Sequence, residues 1–257
     1  MKIPVKDIRL NIVIPNVITL AAAAAGMTSL KYTVEGNFSF AIIAILVAAL
    51  LDGLDGRVAR LMRGGSDIGV QLDSLSDFLN FGVAPGFLLY YFSLHQLGAA
   101  GWAITLLFML CCEFRLARFN AMTTSTPPVY WSNFFTGLPA PGGGVASLAP
   151  VMLFIASRQQ WQWLTNPAII AATTILCGLM MASRIPTLSI KKIKIKEGQL
   201  PLFFITCFVF ISALFTAFWW TLGIGGVIYL GIIPFTIWKF KKLKKAFENE
   251  QTNSQGN

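Results

Sequence analysis

Charge is scarce in this sequence. Only 12% of its 257 residues are charged, against 55% hydrophobic, whereas a soluble domain carries about a quarter charged residues. That shortage excludes a soluble globular protein. No internal repeat is visible, no domain-sized soluble segment exists, and nothing resembles a nucleic-acid-binding module. The formal net charge of +9 therefore speaks for membrane topology and anionic lipid headgroups, and no nucleic-acid partner is expected. Cysteine is scarce too. Cys111, Cys112, Cys177 and Cys207 lie in or near apolar runs without metal-ligand spacing, so they read as buried small hydrophobes, not as ligands or disulfides. No A-x-A-like site follows the amphipathic stretch that carries Lys2, Lys6 and Arg9, so no cleaved signal peptide is expected.

What is abundant is uncharged apolar length. Measured against a hydrocarbon core of about 30 Å, the apolar runs predict an all-α, polytopic membrane bundle of about eight transmembrane helices. They lie near 13–32, 38–62, 68–94, 98–119, 140–157, 166–186, 200–219 and 221–239. Residues 1–12 read as a cytoplasmic amphipathic segment and 13–239 as the transmembrane domain. Residues 240–257 read as a basic, then polar cytoplasmic tail, disordered from Asn249 to Asn257. With the N-terminus cytosolic, all of the 20 Lys and Arg residues except Lys31 and Arg158 fall on the cytosolic side. That asymmetry predicts both termini inside. The single histidine, His95, lies at the opposite end of the third run and reads as an interface residue.

The acidic residues are few and clustered. Of 11, five fall between positions 52 and 77: Asp52, Asp55, Asp67, Asp73 and Asp77. Asp52 comes about 21 Å along the second helix, counted from Phe38 at 1.5 Å per residue, inside hydrocarbon depth. The third helix runs antiparallel and brings its own pair to the same depth. Asp52 and Asp55 are i, i+3, and Asp73 and Asp77 are i, i+4, so each pair shares a helix face. Four facing carboxylates in a membrane repel unless cations neutralise them. Oxygen-only ligands favour Mg²⁺ or Mn²⁺, and four carboxylates suffice for two divalent cations. A salt-bridge network with Arg57 and Arg60 is the alternative, and it leaves the matched spacing unexplained. Gly53, Gly56 and Ala59 beside the first pair, and Gly69 before Asp73, either leave room for a ligand or serve close helix packing. The Gly64-Gly65-Ser66 connection has backbone N–H groups to offer a phosphate.

Together these residues spell D-x-x-D-G-x-x-A-R-x8-G-x3-D-x3-D, from Asp52 to Asp77. The pattern resembles, at every fixed position, the motif of the CDP-alcohol phosphotransferase family of membrane enzymes. By that resemblance Asp52, Asp55, Asp73 and Asp77 hold two divalent cations that clamp the diphosphate of a CDP-linked lipid, and Asp77 is the general base. Gly56, Ala59, Arg60, Ser66 and Gly69 would contact the CDP-lipid. Pro15, Asn16 and Thr19 resemble the family's P-N-x-x-T lead into the first helix, which lines the same pocket.

Three further stretches resemble those of the phosphatidylserine-forming branch: Arg115-Leu116-Ala117-Arg118-Phe119-Asn120, Phe135-Thr136-Gly137-Leu138-Pro139-Ala140-Pro141, and Met181-Ala182-Ser183-Arg184-Ile185-Pro186. The implied substrates are CDP-diacylglycerol and L-serine, with membrane lipids as surroundings; the resemblance also allows a homodimer. Serine needs a cationic partner for its carboxylate, and Arg115 or Arg118 is the expected acceptor-binding residue. Topology or lipid phosphate is the other reading of both arginines. Alternative acceptors are choline, glycerol 3-phosphate or an inositol phosphate, and an ether-linked donor stays open. A membrane prenyltransferase would place its two aspartate motifs far apart in sequence. An ion carrier would spread its acids over broken, inverted repeats.

Overall fold

A computed structural model describes residues 10–62, 66–122, 134–188 and 200–255. Helical segments coincide with all eight apolar runs. They are α1 (Leu10–Val34), α2 (Phe38–Leu61), α3 (Asp67–Asp77), α4 (Ala84–Phe92), α5 (Ala99–Met122), α6 (Ala140–Ser147), α7 (Ala149–Ala156), α8 (Pro167–Ala182), α9 (Leu200–Thr216) and α10 (Phe218–Gln255). Among the described residues, four helices are long and apolar enough to cross a membrane on their own: those over Val13–Val34, Phe38–Leu61, Ala99–Ala121 and Phe218–Trp238. The chain is a helical membrane bundle.

Local signals set several helix starts. The side chains of Asn37, Ser66 and Asn166 accept from Phe40, Gly69 and Ala168 N–H groups, tying down donors that a helix start leaves unpaired. Packing does the rest. One apolar cluster joins α2, α4, α7 and α8 through Ile42, Ile45, Leu88, Leu89, Met152 and Ile170. A second joins the middle of the third run to α5, α8 and α10 through Phe81, Phe108, Cys112, Cys177, Met181 and Ile233.

The structure departs from the expected spans in four places. The third run is not one α-helix: a π-helical turn, Phe78–Val83, separates α3 from α4. Pro85 has no N–H to give the Phe81 carbonyl, so the regular ladder is lost there. Gly144 of α6 closes on that carbonyl instead, and a Cβ on it would lie 2.8 Å from the oxygen. The fifth run breaks between α6 and α7, with Pro150 in the new first turn. Two short strands, β1 (Phe134–Thr136) and β2 (Pro186–Leu188), pair antiparallel and were not expected. Finally, α10 continues to Gln255, where a disordered end was expected; the run from Lys241 to Gln255 holds neither Pro nor Gly to stop it.

Cys111, Cys112 and Cys177 are buried free thiols. His95 is exposed in a 3₁₀ turn after α4, its Nδ1 3.1 Å from the Tyr90 carbonyl. Arg63, Gly64, Gly65 and Lys191 to Lys196 lie outside the described residues, and so does the backbone of the Gly64-Gly65 connection.

Candidate active site

The aspartates meet where α2 and α3 lie against α1. Carboxylate oxygens of Asp52, Asp55 and Asp73 all lie within 4.8 Å of one another. Asp55 is the buried member, 4% exposed. Thr19 of α1, itself buried, fixes its direction: the hydroxyl donates to Asp55 Oδ2 at 2.6 Å and lies 3.1 Å from the Pro15 carbonyl. Asp77 ends α3 outside that trio. Its carboxyl faces the carboxyl of Asp52 within hydrogen-bonding reach, and its Oδ1 is buried without a hydrogen-bond partner among the described residues.

Two buried polar residues hold α1 onto α3 behind the acids. Ser76 donates to the Thr19 carbonyl at 3.3 Å, and Asn80 Nδ2 donates to Ser76 Oγ at 3.0 Å. Sequence reading passed over this pair. Its signal was two amide and hydroxyl groups at i, i+4 in an otherwise apolar stretch.

A cleft of about 140 Å³ opens beside the carboxylates. Pro15, Asn16, Thr19, Asp55, Gly56, Ala59, Ser66, Gly69, Val70 and Asp73 line it. Residues expected to meet a CDP-lipid are thus drawn together from α1, α2 and the start of α3. Arg60 is not in the lining; it is exposed and its Nε donates to the Gly56 carbonyl at 2.8 Å. The glycines divide by role. A Cβ on Gly53 or Gly56 would meet nothing within 4 Å, so helix packing does not require them to be small. A Cβ on Gly69 would lie 2.7 Å from Asn16 Oδ1, so there closeness to α1 does. Ser66 caps α3, its Oγ accepting from Gly69 N at 3.0 Å.

The salt-bridge alternative does not hold among the described residues, where the ion pair found is Lys31–Glu35. The donor set fits a hard divalent cation instead. Oxygen ligands sit about 2.1 Å from Mg²⁺, so two of them are at most about 4.2 Å apart. The 4.8 Å spread of the three carboxylates needs only a small closing.

The two candidate acceptor arginines differ in their surroundings. Arg118 clasps the C-terminal end of α8: its Nη1 donates to the Ala182 carbonyl and its Nη2 to that of Ser183, each at 2.8 Å. Those are the carbonyls a helix end leaves unpaired, where a cation is also favoured by the helix dipole. Arg115 shows no such bond to α8 among the described residues. It is half-buried, within electrostatic reach of Asp77, and its Nε has no hydrogen-bond partner among the described residues. Helix spacing put both on one face, but α8 took one of them.

A profile of the family described as CDP-alcohol phosphatidyltransferase matches residues 12–168. The chain belongs to that family. The match takes in the cleft, the aspartates and both arginines, and with the apolar helices it makes this an integral membrane protein. A relative from Mycobacterium leprae, named CDP-diacylglycerol–serine O-phosphatidyltransferase, is 34% identical over 226 residues, 88% of this chain and 74% of the relative. One of the same name from Helicobacter pylori is 32% identical over 242 residues, 93% of this chain and 96% of the relative. An archaetidylserine synthase from Methanothermobacter thermautotrophicus is 36% identical over 143 residues, 54% of this chain and 58% of the relative.

Proposed function

We propose that this protein transfers the phosphatidyl group of CDP-diacylglycerol to the hydroxyl of L-serine, giving phosphatidylserine and CMP. The observation that carries the reading is the cluster of Asp52, Asp55 and Asp73 beside a cleft lined by the family's CDP-contacting positions. The names of the relatives share serine and differ in the lipid, which favours serine over choline, glycerol 3-phosphate or an inositol phosphate as acceptor.

In this reading Gly56 and Ala59 leave the nucleotide open space along α2, with Asn16 and Ser66 across the cleft. Asp52, Asp55, Asp73 and Asp77 would hold two divalent cations, Mg²⁺ or Mn²⁺. When bound, these neutralise the diphosphate and stabilise departing CMP. Asp77 takes the proton of the serine hydroxyl as its oxygen bonds to the phosphatidyl phosphorus, and the bond from that phosphorus to CMP breaks. Thr19 keeps Asp55 directed at the cluster throughout. Arg115 receives the serine carboxylate, while Arg118 has a structural task.

Purified protein given CDP-diacylglycerol and a panel of acceptors should release CMP with L-serine and not with choline, glycerol 3-phosphate or inositol phosphate. In the same assay Arg115→Lys should lower kcat/KM for serine by about 10- to 150-fold. A charge-assisted hydrogen bond is worth about 1.5–3 kcal/mol, and an ammonium does not reproduce a planar two-point contact. Release with another acceptor alone would overturn the serine reading.

The same proposal places the site and both termini on the cytosolic face, supported by the distribution of Lys and Arg along the sequence. A reporter fused after Asn257 should then score as cytosolic; an external score would require a different number of crossings.

A further inference from the structure

We infer that Tyr229 of α10 is a specificity-determining residue of the acceptor site, its phenol joining Arg115 in holding the acceptor's carboxylate next to Asp77. The inference rests on the proposed serine reading and extends it to a helix whose sequence holds no motif.

Tyr229 comes from the part of the chain beyond the family match. It is only partly buried, and its ring packs against the cluster that joins α5, α6, α8 and the turn after α3. A Cβ placed on Gly142 of α6 would lie 2.7 Å from the phenol oxygen. Gly142 therefore makes room for the hydroxyl by having no side chain. The same phenol is within electrostatic reach of Arg115, and Arg115 is within reach of Asp77. Three polar groups, from α3, α5 and α10, thus form a chain in which each lies within electrostatic reach of the next.

Part of their hydrogen-bonding capacity is uncommitted. Arg115 Nε is buried without a partner, as is Asp77 Oδ1. Among the described residues the Tyr229 phenol has no hydrogen-bond partner either. Buried polar groups are nearly always paired, so the unpaired Arg115 Nε and Asp77 Oδ1 call for a ligand that completes them, with the Tyr229 phenol free to add to it. The donors and the acceptor differ in kind. A guanidinium and a phenol both donate, which suits an anion with two oxygens; a carboxylate beside them accepts, which suits a hydroxyl proton. A small alcohol bearing a carboxylate two carbons from its hydroxyl satisfies both ends. Choline has no anion for the donors.

None of these three groups is in the lining of the cleft. Pro15, Gly56 and Gly69 line the cleft from α1, α2 and the start of α3. Tyr229 and Gly142 approach from α10 and α6.

Two substitutions test this without removing a core contact. Tyr229→Phe deletes only the hydroxyl, and Gly142→Ala pushes it aside while favouring the helix. In full-length protein in detergent, each should raise KM for L-serine about tenfold, the effect of losing one hydrogen bond to a charged group. The KM for CDP-diacylglycerol and the melting temperature should stay at wild-type values. An unchanged serine KM in Tyr229→Phe overturns the proposal, as does a parallel rise in both KM values, which marks a purely structural residue. If instead the wild-type protein releases CMP with another acceptor and not with serine, the reading beneath the proposal has failed, whatever Tyr229→Phe does.

Discussion

Asp77→Asn should lower kcat by about 10²- to 10⁴-fold, the range over which a positioned general base acts. The amide keeps the shape of the carboxyl but takes up no proton. Loss of the fold is not the expected cause. Asp77 faces Asp52, and two carboxylates in contact repel, whereas an amide donates to the remaining one. The melting temperature should therefore hold or rise. The KM for CDP-diacylglycerol should suffer much less than turnover, since Asp77, though a cation ligand in this reading, stands outside the trio of Asp52, Asp55 and Asp73 and outside the cleft lining. Asp52→Asn belongs to that trio and should harm both turnover and lipid binding. Equal and mild losses in the two variants would mean that another group takes the serine proton.

The grouping of these aspartates is legible in the amino-acid sequence. Intramembrane acids at i, i+3 and i, i+4 are a local pattern, and helix geometry alone turns each pair to one face. The same holds for the helical segments, because uncharged length is a property of each run by itself. Features that depend on partners distant in sequence are not legible in this way. The π-helical turn at Phe78–Val83 goes with Pro85, which has no N–H for the Phe81 carbonyl, and with Gly144 closing on that carbonyl across the bundle. The pairing of Phe134–Thr136 with Pro186–Leu188 joins the lead into the fifth run to the close of the sixth, about 50 residues apart in sequence and so without a local signal. Arg115 and Arg118 show the limit most clearly. Both are long side chains on one face, and only the position of the α8 carbonyls decides that Arg118 is engaged there. Tyr229 carries no signal beyond being a polar ring in an apolar run, and its proximity to Gly142 comes from the packing of α10 on α6.

Removing divalent cations should abolish CMP release, and adding Mg²⁺ or Mn²⁺ should restore it. The cause is electrostatic before it is catalytic. Asp52, Asp55 and Asp73 converge within 4.8 Å, and no described arginine or lysine pairs with them. Held in a membrane protein, such a cluster must bind cations or take up protons. Thr19 adds one hydrogen bond at 2.6 Å, far too little to offset three mutual repulsions. Cation binding should therefore stabilise the fold as well as the reaction. At a hundred times its dissociation constant, a ligand that binds only the folded state adds about 2.7 kcal/mol. Melting of the purified protein should shift upward with Mn²⁺ or Mg²⁺, and the shift should shrink in Asp52→Asn and Asp73→Asn. Arg60→Ala should keep it, because Arg60 is bonded to the Gly56 carbonyl and pairs with no aspartate. Full activity after exhaustive chelation, with melting indifferent to added cations, would leave the carboxylate cluster without the role assigned to it. The melting readout needs neither lipid nor acceptor, so it separates a wrong cation site from a wrong substrate.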